Sequence, residues 1–314
     1  MTRHAARRQR RTRNQERSGF TLVELIIALC MTAMFGVVVA RVMMAQQRYF
    51  QRIHELGSVR RELRTALGML PADLWSLSTV GGDIADFSAQ SLTVRSTLGA
   101  SFVCARSGSN SIDLPPLGSA RTTTTSWNSA PVIGDTVRIL RSDSSGVSGD
   151  YWSAHQITAI STSTAYCASS PYLDASLDGA KVRYRFTVVP ALPDSVTTGS
   201  AVRFTRPARW TLAKVTSGRW YLHRAEFLNG SWGTETPVSG PYMAPSSGGL
   251  VMTYFDSLGV SLTQLSERNR IARLEIILRG QGMTLPAAQG APAGAIDKRI
   301  IDSLAFTVAV RNRQ

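Results

Sequence analysis

A long apolar stretch near the N-terminus constrains this chain more than any other feature of its sequence. Residues 20–45 include only two charged side chains, Glu24 and Arg41. About 20 apolar residues in a helix cover the roughly 30 Å hydrocarbon core of a bilayer, and no other stretch of the sequence approaches that length. The sequence therefore predicts a single membrane-spanning helix.

A basic segment precedes the apolar stretch. Residues 1–19 contain seven arginines and one glutamate, which supply +6 of the formal net charge of +14. Because positive residues stay on the cytoplasmic side of a span, they place the N-terminus in the cytoplasm and everything after Ala45 outside it. Much of the basic excess leaves with these residues if they are removed, so we expect no nucleic-acid partner.

Three kinds of N-terminal processing compete for this segment. An ordinary secretory signal would be cut after Ala40, whose side chain is small. A lipoprotein signal needs a small residue just before Cys30, where the chain has Leu29. Cleavage before Phe20 would instead leave the apolar stretch attached. Glu24 favours the third kind, because a carboxylate inside a membrane helix costs about 2.5–3.5 kcal/mol and needs a compensating role.

The residues around Glu24 carry a resemblance to a known family. Residues 17–26 read RSGFTLVELI, which is similar to the prepilin signature of type IV pilins and of the pseudopilins of type II secretion. The resemblance implies cleavage between Gly19 and Phe20 by a prepilin peptidase, followed by N-methylation of Phe20. It also implies that the partners are other pilins or pseudopilins and an inner-membrane assembly platform.

Elementary electrostatics gives Glu24 a matching role. Cleavage would create an α-ammonium at Phe20, and Glu24, as fifth residue of the mature chain, would lie about one helical turn away. In a filament, the carboxylate of one subunit would pair with the ammonium of its neighbour, because each charge alone is costly in a low-dielectric bundle. The pair would set axial register more than it adds stability. The alternative is a glutamate tolerated near the membrane interface.

The helix is predicted to continue beyond the membrane. Apolar residues recur at spacings of three and four through residues 46–71, which is typical of an amphipathic helix packed against a sheet. Pro71 is expected to end or kink it. The predicted organisation is a basic leader at 1–19, a transmembrane segment at 20–45, this extension at 46–71 and a head at 72–314. The periodic residues are Tyr49, Phe50, Ile53, Leu56, Val59, Leu63, Leu67 and Leu70.

The head changes to a period of two. Apolar and polar residues alternate in residues 182–188, 274–278 and 304–310, which predicts strands of an antiparallel sheet with one buried face. The fold class is therefore α+β: a long N-terminal helix packed on an antiparallel β-rich head, the lollipop of the pilin-like families. Shorter strand candidates are residues 91–95, 101–106, 136–140, 152–160, 209–214, 219–224 and 250–255, and polar loops are predicted at 107–131, 142–150, 229–249 and 280–294.

Two features of the head bear on its chemistry. Cys104 and Cys167 both lie in the exported part, where a disulfide between them would add roughly 4 kcal/mol of stability; two buried free thiols are the alternative. Residues 143–150 carry oxygens that suit calcium, although a turn has the same composition.

The sequence contains no pattern that indicates a catalytic site. The chain has four scattered histidines and three cysteines, too few for a histidine-rich or four-thiolate metal centre, so we expect no metal and no cofactor. No nucleophile-elbow, Walker A or dinucleotide-binding motif occurs. His155 and His223 lie in strand patterns, where packed or surface histidines are usual. The chain is not expected to be an enzyme.

The size of the head indicates which members of these families the chain resembles. A head of this size is similar to those of the large W-type minor pilins and the J-type pseudopilins. That likeness implies a low-copy structural subunit that primes or caps a filament, held in the bacterial inner membrane with its N-terminus in the cytoplasm and later extracytoplasmic. The alternative is a membrane-anchored adhesin or ligand- or DNA-binding protein.

Overall fold

The chain forms one long helix and a large antiparallel β-sheet domain. It divides into two compact units, Met1–Ile53 and His54–Gln314, and the helix α1 (Leu22–Leu74) contributes to both. This α+β layout confirms the coarse fold prediction. The computed structural model describes residues 20–79, 81–120, 125–141, 151–167, 170–283 and 299–310.

In the second unit, α1 packs one stripe of side chains onto the sheet. Apart from Pro71, the buried positions follow each other at intervals of three or four residues, as one face of a helix requires. The stripe begins at Val59 and includes Ala66, whereas Leu67, about 100° further round the helix, stays 37% exposed. The predicted amphipathic stripe is therefore wrong at Leu67 and in its first three members, which are exposed. The buried stripe is Val59, Leu63, Ala66, Leu70 and Leu74.

The helix continues through Pro71. It ends at Leu74, so the boundary predicted at residue 71 lies three residues too early. Pro71 falls in the last turn, where its missing N–H removes only one helical hydrogen bond. Its carbonyl still accepts from the N–H of Trp75 at 2.8 Å.

Sixteen strands occur among the described residues, and every pairing between them is antiparallel. The main path of neighbours runs β14-β13-β15-β12-β10-β9-β6-β7-β8-β4-β3. The strands are β1 (Ile84–Phe87), β2 (Ser91–Phe102), β3 (Ala105–Arg106), β4 (Ser111–Leu114), β5 (Ser126–Trp127), β6 (Thr136–Arg141), β7 (Tyr151–Ser163), β8 (Arg183–Val189), β9 (Ala201–Lys214), β10 (Trp220–Leu228), β11 (Ser231–Trp232), β12 (Thr236–Tyr242), β13 (Leu250–Phe255), β14 (Ser261–Leu262), β15 (Arg273–Gln281) and β16 (Ile301–Ala309).

The two larger hydrophobic cores share the strands β2 and β9. β2 and β9 pair along most of their length, and β9 contributes Val202 and Phe204 to one core and Trp210 and Leu212 to the other. The core that contains Trp210 also receives the buried stripe of α1. The other is built from β2, β4 and β6 to β9. β9 therefore contributes buried side chains to both cores.

The alternating patterns locate most strands but misplace two side chains: Val182, which precedes β8 and is 49% exposed, and Arg183. Leu274, Ile276 and Leu278 are fully buried, as predicted. Arg183, predicted to face outward, is buried because the loop after β7 folds over it, and its guanidinium donates to the carbonyls of Thr164, Tyr166 and Asp178.

The predicted loops conceal short strands. β4 and β5 lie within the loop predicted at 107–131, and β11 and β12 lie within that at 229–249. The Asn229–Gly230 pair forms the tight turn of the β10–β11 hairpin, with both residues at positive φ, as this dipeptide favours. The loop predicted at 142–150 lies outside the described residues.

Gly280 is where the helix approaches the sheet most tightly. It belongs to β15 and pairs with Tyr242 of β12 and with Asp302 of β16. A Cβ on Gly280 would lie 2.6 Å from Cγ1 of Val59 and 3.5 Å from Cγ of Leu63. Only glycine lets α1 lie this close to β15.

We expect Gly280→Ala to lower the free energy of unfolding by about 1–3 kcal/mol, because the added methyl group overpacks the contact with Val59. Val59→Ala in the same chain should recover part of that loss, since it removes the clashing Cγ1, and the two changes should couple by about 1 kcal/mol. The measurement is denaturant unfolding of the full-length protein in detergent micelles. Gly68→Ala is the control, because nothing lies within 4 Å of that Cβ position. Additive effects of the two changes would contradict this packing.

Candidate functional site

The start of α1 forms a capping box. Thr21 precedes the first helical residue, and its side-chain hydroxyl accepts from the N–H of Glu24 at 3.3 Å. The Glu24 carboxylate in turn accepts from the N–H of Thr21 at 3.2 Å and from its hydroxyl at 3.1 Å. Two N–H groups that the helix leaves unpaired are thereby satisfied. The carboxylate also lies in the first turn, where the helix dipole favours negative charge.

The capping box gives Glu24 a role inside its own chain that the sequence prediction did not include. The sequence contained the signal, because Thr21-Leu22-Val23-Glu24 matches the pattern of Ser or Thr followed three residues later by Glu or Gln. The hydrogen bonds do not neutralise the charge, and within the described residues Glu24 makes no ion pair.

Phe20 begins the described chain and is 86% exposed. Gly19, the other residue of the predicted cleavage site, and the whole basic leader lie outside the described residues. Of the residues predicted to act at the N-terminus, the structure therefore gives the positions of Phe20 and Glu24, and it adds the capping hydroxyl of Thr21.

The first unit leaves an apolar helical surface uncovered. Every described residue from Phe20 to Ile53 is exposed. By length and composition, α1 is the one helix in the described part of the chain that could cross a membrane, and none of its most apolar window is buried. Tyr49 and Phe50 extend this surface past residue 45, at 64% and 59% exposed. An apolar surface of this extent requires lipid or other helices as its surroundings.

The structure joins Cys104 and Cys167 in a disulfide, with Cα atoms 5.7 Å apart. Both residues are buried and pack with Leu173. The bond links the segment after β2 to the segment after β7, 63 residues further along the chain. Cys30, in the membrane-length segment, is free and exposed.

A buried carboxylate organises the loop that follows the disulfide. Asp178 is fully buried. Burial would raise the pKa of Asp178, but its hydrogen-bond donors together hold that pKa well below the ordinary value of 3.8. The donors are the N–H groups of Asp174 and Ala120, the Ser119 hydroxyl and the Lys181 ammonium.

Asp73 connects the end of α1 to the sheet. Its carboxylate accepts from Nε1 of Trp210 at 3.1 Å, from Nε of Arg224 at 2.9 Å and from Oγ of Ser96 at 2.6 Å. Arg224 also pairs with Glu226. No local pattern could have revealed Asp73, because its partners come from β2, β9 and β10, far away in sequence.

The ionic chain continues from Glu226 to the other side of β9. Arg206 pairs with Glu226 at 2.6 Å and holds Asp135 through two hydrogen bonds of 2.7 and 2.8 Å. The bond to Asp135 raises the pKa of the Arg206 guanidinium above its usual value. Arg206 lies in β9 between the two cores, so this chain of charges ties both cores to the end of α1.

The two head histidines are both buried but differ in their hydrogen bonding. In His155, Nδ1 lies 2.8 Å from the carbonyl of Pro190 and Nε2 lies 3.0 Å from the Ser153 hydroxyl, as in a packed structural histidine. Neither ring nitrogen of His223 has a hydrogen-bond partner among the described residues. No cluster of three metal-ligating side chains occurs in that part of the chain. The calcium candidate at 143–150 lies outside it.

Comparison with protein-family models, with curated proteins and with solved structures finds no match to this chain.

We expect Asp73→Ala to lower the free energy of unfolding by about 1–3 kcal/mol, because it leaves the Trp210 N–H and the Arg224 guanidinium without their shared acceptor. Asp302→Ala is the matched control. It breaks the ion pair with Arg60, whose side chain is 58% exposed, so it should cost less than about 1 kcal/mol. Denaturant unfolding of both full-length variants in micelles measures the difference. Equal losses would show that Asp73 has no special structural role.

The Asp178 site predicts a specific acid sensitivity. A carboxyl whose pKa is lower in the folded chain stabilises the fold above its unfolded pKa, and this contribution disappears as the pH falls towards the folded pKa. The wild-type protein should therefore lose more free energy of unfolding between pH 5 and pH 3 than Asp178→Asn does. Asp194→Asn, which changes a fully exposed carboxylate, should keep the wild-type pH dependence. Parallel profiles for wild type and Asp178→Asn would contradict this prediction.

Proposed function

We propose that the chain is a minor pilin or pseudopilin, a low-copy structural subunit that primes or caps the assembly of a type IV pilus or a type II secretion pseudopilus. In this proposal a prepilin peptidase cleaves between Gly19 and Phe20, and Phe20 is then N-methylated. The subunit stays in the inner membrane, with its N-terminus in the cytoplasm, until an assembly platform incorporates it. Its role is structural and not enzymatic.

The observation that carries the proposal is a charged carboxylate at the start of an uncovered apolar helix. Glu24 lies one turn after the proposed new N-terminus, without an ion-pair partner in the described chain. A membrane anchor with no further task has no need of such a charge, which is costly in hydrocarbon. A neighbouring subunit would supply both the missing positive charge and the apolar contacts for the helix.

The head is consistent with use in few copies. The second unit runs from His54 to Gln314, and many domains of this size would crowd a thin fibre, whereas a few fit at its end. This reasoning supports the likeness to the W-type minor pilins and J-type pseudopilins that the signature and the head size suggest. Other pilins or pseudopilins are then its partners in the filament.

The decisive variants separate the charge of Glu24 from its capping role. Glutamine suits the capping box as well as glutamate does, so Glu24→Gln keeps the helix cap and removes the charge. We expect Glu24→Gln and Glu24→Ala to lower incorporation into filaments about tenfold or more, because the partner's ammonium is left unpaired. Thr21→Val removes the capping hydroxyl, keeps the charge and should retain most incorporation.

The measurement compares the amount of subunit in sheared filaments with the amount in the membrane fraction of the same cells. All three variants should insert into the membrane like the wild type. N-terminal mass analysis of the mature protein should find methylated Phe20, whereas a start at Arg41 would indicate ordinary secretion. Wild-type incorporation of Glu24→Gln would contradict the charge-pairing role and favour the alternative of a membrane-anchored adhesin or ligand- or DNA-binding protein.

A further inference from the structure

A cationic cleft opens at one end of the strands β9, β10, β12 and β15. It has a volume of about 300 Å³. Its walls come from the β9–β10 turn, from the segment that follows β12, from the end of β15 and from Arg299, two residues before β16. Among its lining residues are Lys214, Arg219, Trp220, Tyr242, Gln281 and Arg299.

The charge of the cleft is strongly unbalanced. Among the described residues, three basic side chains line it and no acidic one does. Glu55 lies beyond the lining residue Gly282, where an added Cβ would be 3.2 Å from its Oε2. Unlike the buried arginines of the head, Lys214 has no carboxylate partner among the described residues.

The basic groups are held in place around an aromatic wall. Lys214 places its ammonium 5.3 Å from the ring centroid of Trp220, within range of a cation–π contact. Arg219 donates Nη2 to the carbonyl of Met283 at 2.7 Å and Nη1 to its sulfur, which leaves three of the five guanidinium hydrogens for a ligand. Gln281 adds an amide donor. Charged donors beside an indole ring suit a ligand that combines an oxyanion with a compact ring.

We propose that this cleft binds one acidic sugar unit, a monosaccharide that carries a carboxylate or a sulfate. The cations recognise the oxyanion, and the indole of Trp220 contacts the sugar ring. The volume suits a single ring and is at the lower limit of ordinary ligand pockets. Nucleic acid fits less well, because its binding spreads many phosphate contacts along an extended basic surface. The site lies in the second unit and does not rest on the proposed filament role.

Calorimetric titration of the full-length protein in micelles tests the proposal, with glucuronate, glucose and inorganic sulfate as probes. Glucuronate should bind, and its affinity should fall as salt is added. Glucose, which lacks the charge, should bind at least about tenfold more weakly than glucuronate. Sulfate, which lacks the ring, should also bind more weakly than glucuronate. Equal affinity for sulfate and glucuronate would reduce the cleft to a simple anion site and overturn the sugar assignment. Tighter binding of a short DNA strand that glucuronate does not displace would also overturn it.

Variants of Lys214 locate the binding. Lys214→Gln should weaken glucuronate binding about fivefold or more, because a charge-assisted contact is lost, and Lys214→Arg should restore most of it. Arg273→Gln removes one positive charge from a side chain that is 44% exposed and outside the cleft, so it should leave the affinity unchanged. Circular dichroism checks that each variant is folded. Absence of glucuronate binding, or equal binding by Lys214→Gln and wild type, would overturn the proposal.

Discussion

Within the second unit, α1 packs a buried stripe that begins at Val59 onto the sheet, and this stripe belongs to one of the two large cores. Between Val59 and Leu74 the apolar stripe of α1 is buried against the sheet, with Gly280 allowing the close approach. From Phe20 to Ile53 every side chain is exposed. The free energy that would be gained by covering this surface is available only from lipid or from other helices. The head has its own buried cores, whereas the apolar side chains of residues 20–53 have none.

In the proposed filament role, the Glu24 carboxylate serves a local and an intermolecular purpose. The capping box satisfies hydrogen-bonding groups of the helix start, so the residue has a purpose even in an isolated subunit. The negative charge has a separate effect, because hydrogen bonds from neutral donors stabilise a carboxylate without cancelling the free-energy cost of placing it in hydrocarbon. The two roles are compatible: a carboxylate fixed by Thr21 has fewer conformations to lose when a positive partner arrives.

The sequence was informative where structure follows from local periodicity. The α+β layout, the buried face of β15 and the Asn229–Gly230 turn all follow from side-chain spacing or turn chemistry within a few residues. The errors occur where distant segments decide the outcome. Arg183 is buried because a loop supplies carbonyls to it, and Asp73 gains its role from three strands. The capping box could have been predicted, because its pattern lies within four consecutive residues. The cationic cleft could not, because its residues come from four separate segments of the chain.

The placement of charge in the head shows why net charge alone is a poor guide to partners. Arg138, Arg183 and Arg206 are all buried, where they hold carboxylates and carbonyls of the chain itself. These cations contribute to the formal charge but present no surface to a polyanion. What matters for binding is the local excess of charge left after such internal pairing, and Lys214 and Arg219 belong to a cleft with no acid among its described lining residues. The basic composition therefore divides into an internal framework of buried arginines and cations that remain accessible, in the cleft and on exposed side chains such as Arg60 and Arg270. Only the second group can meet an anionic ligand.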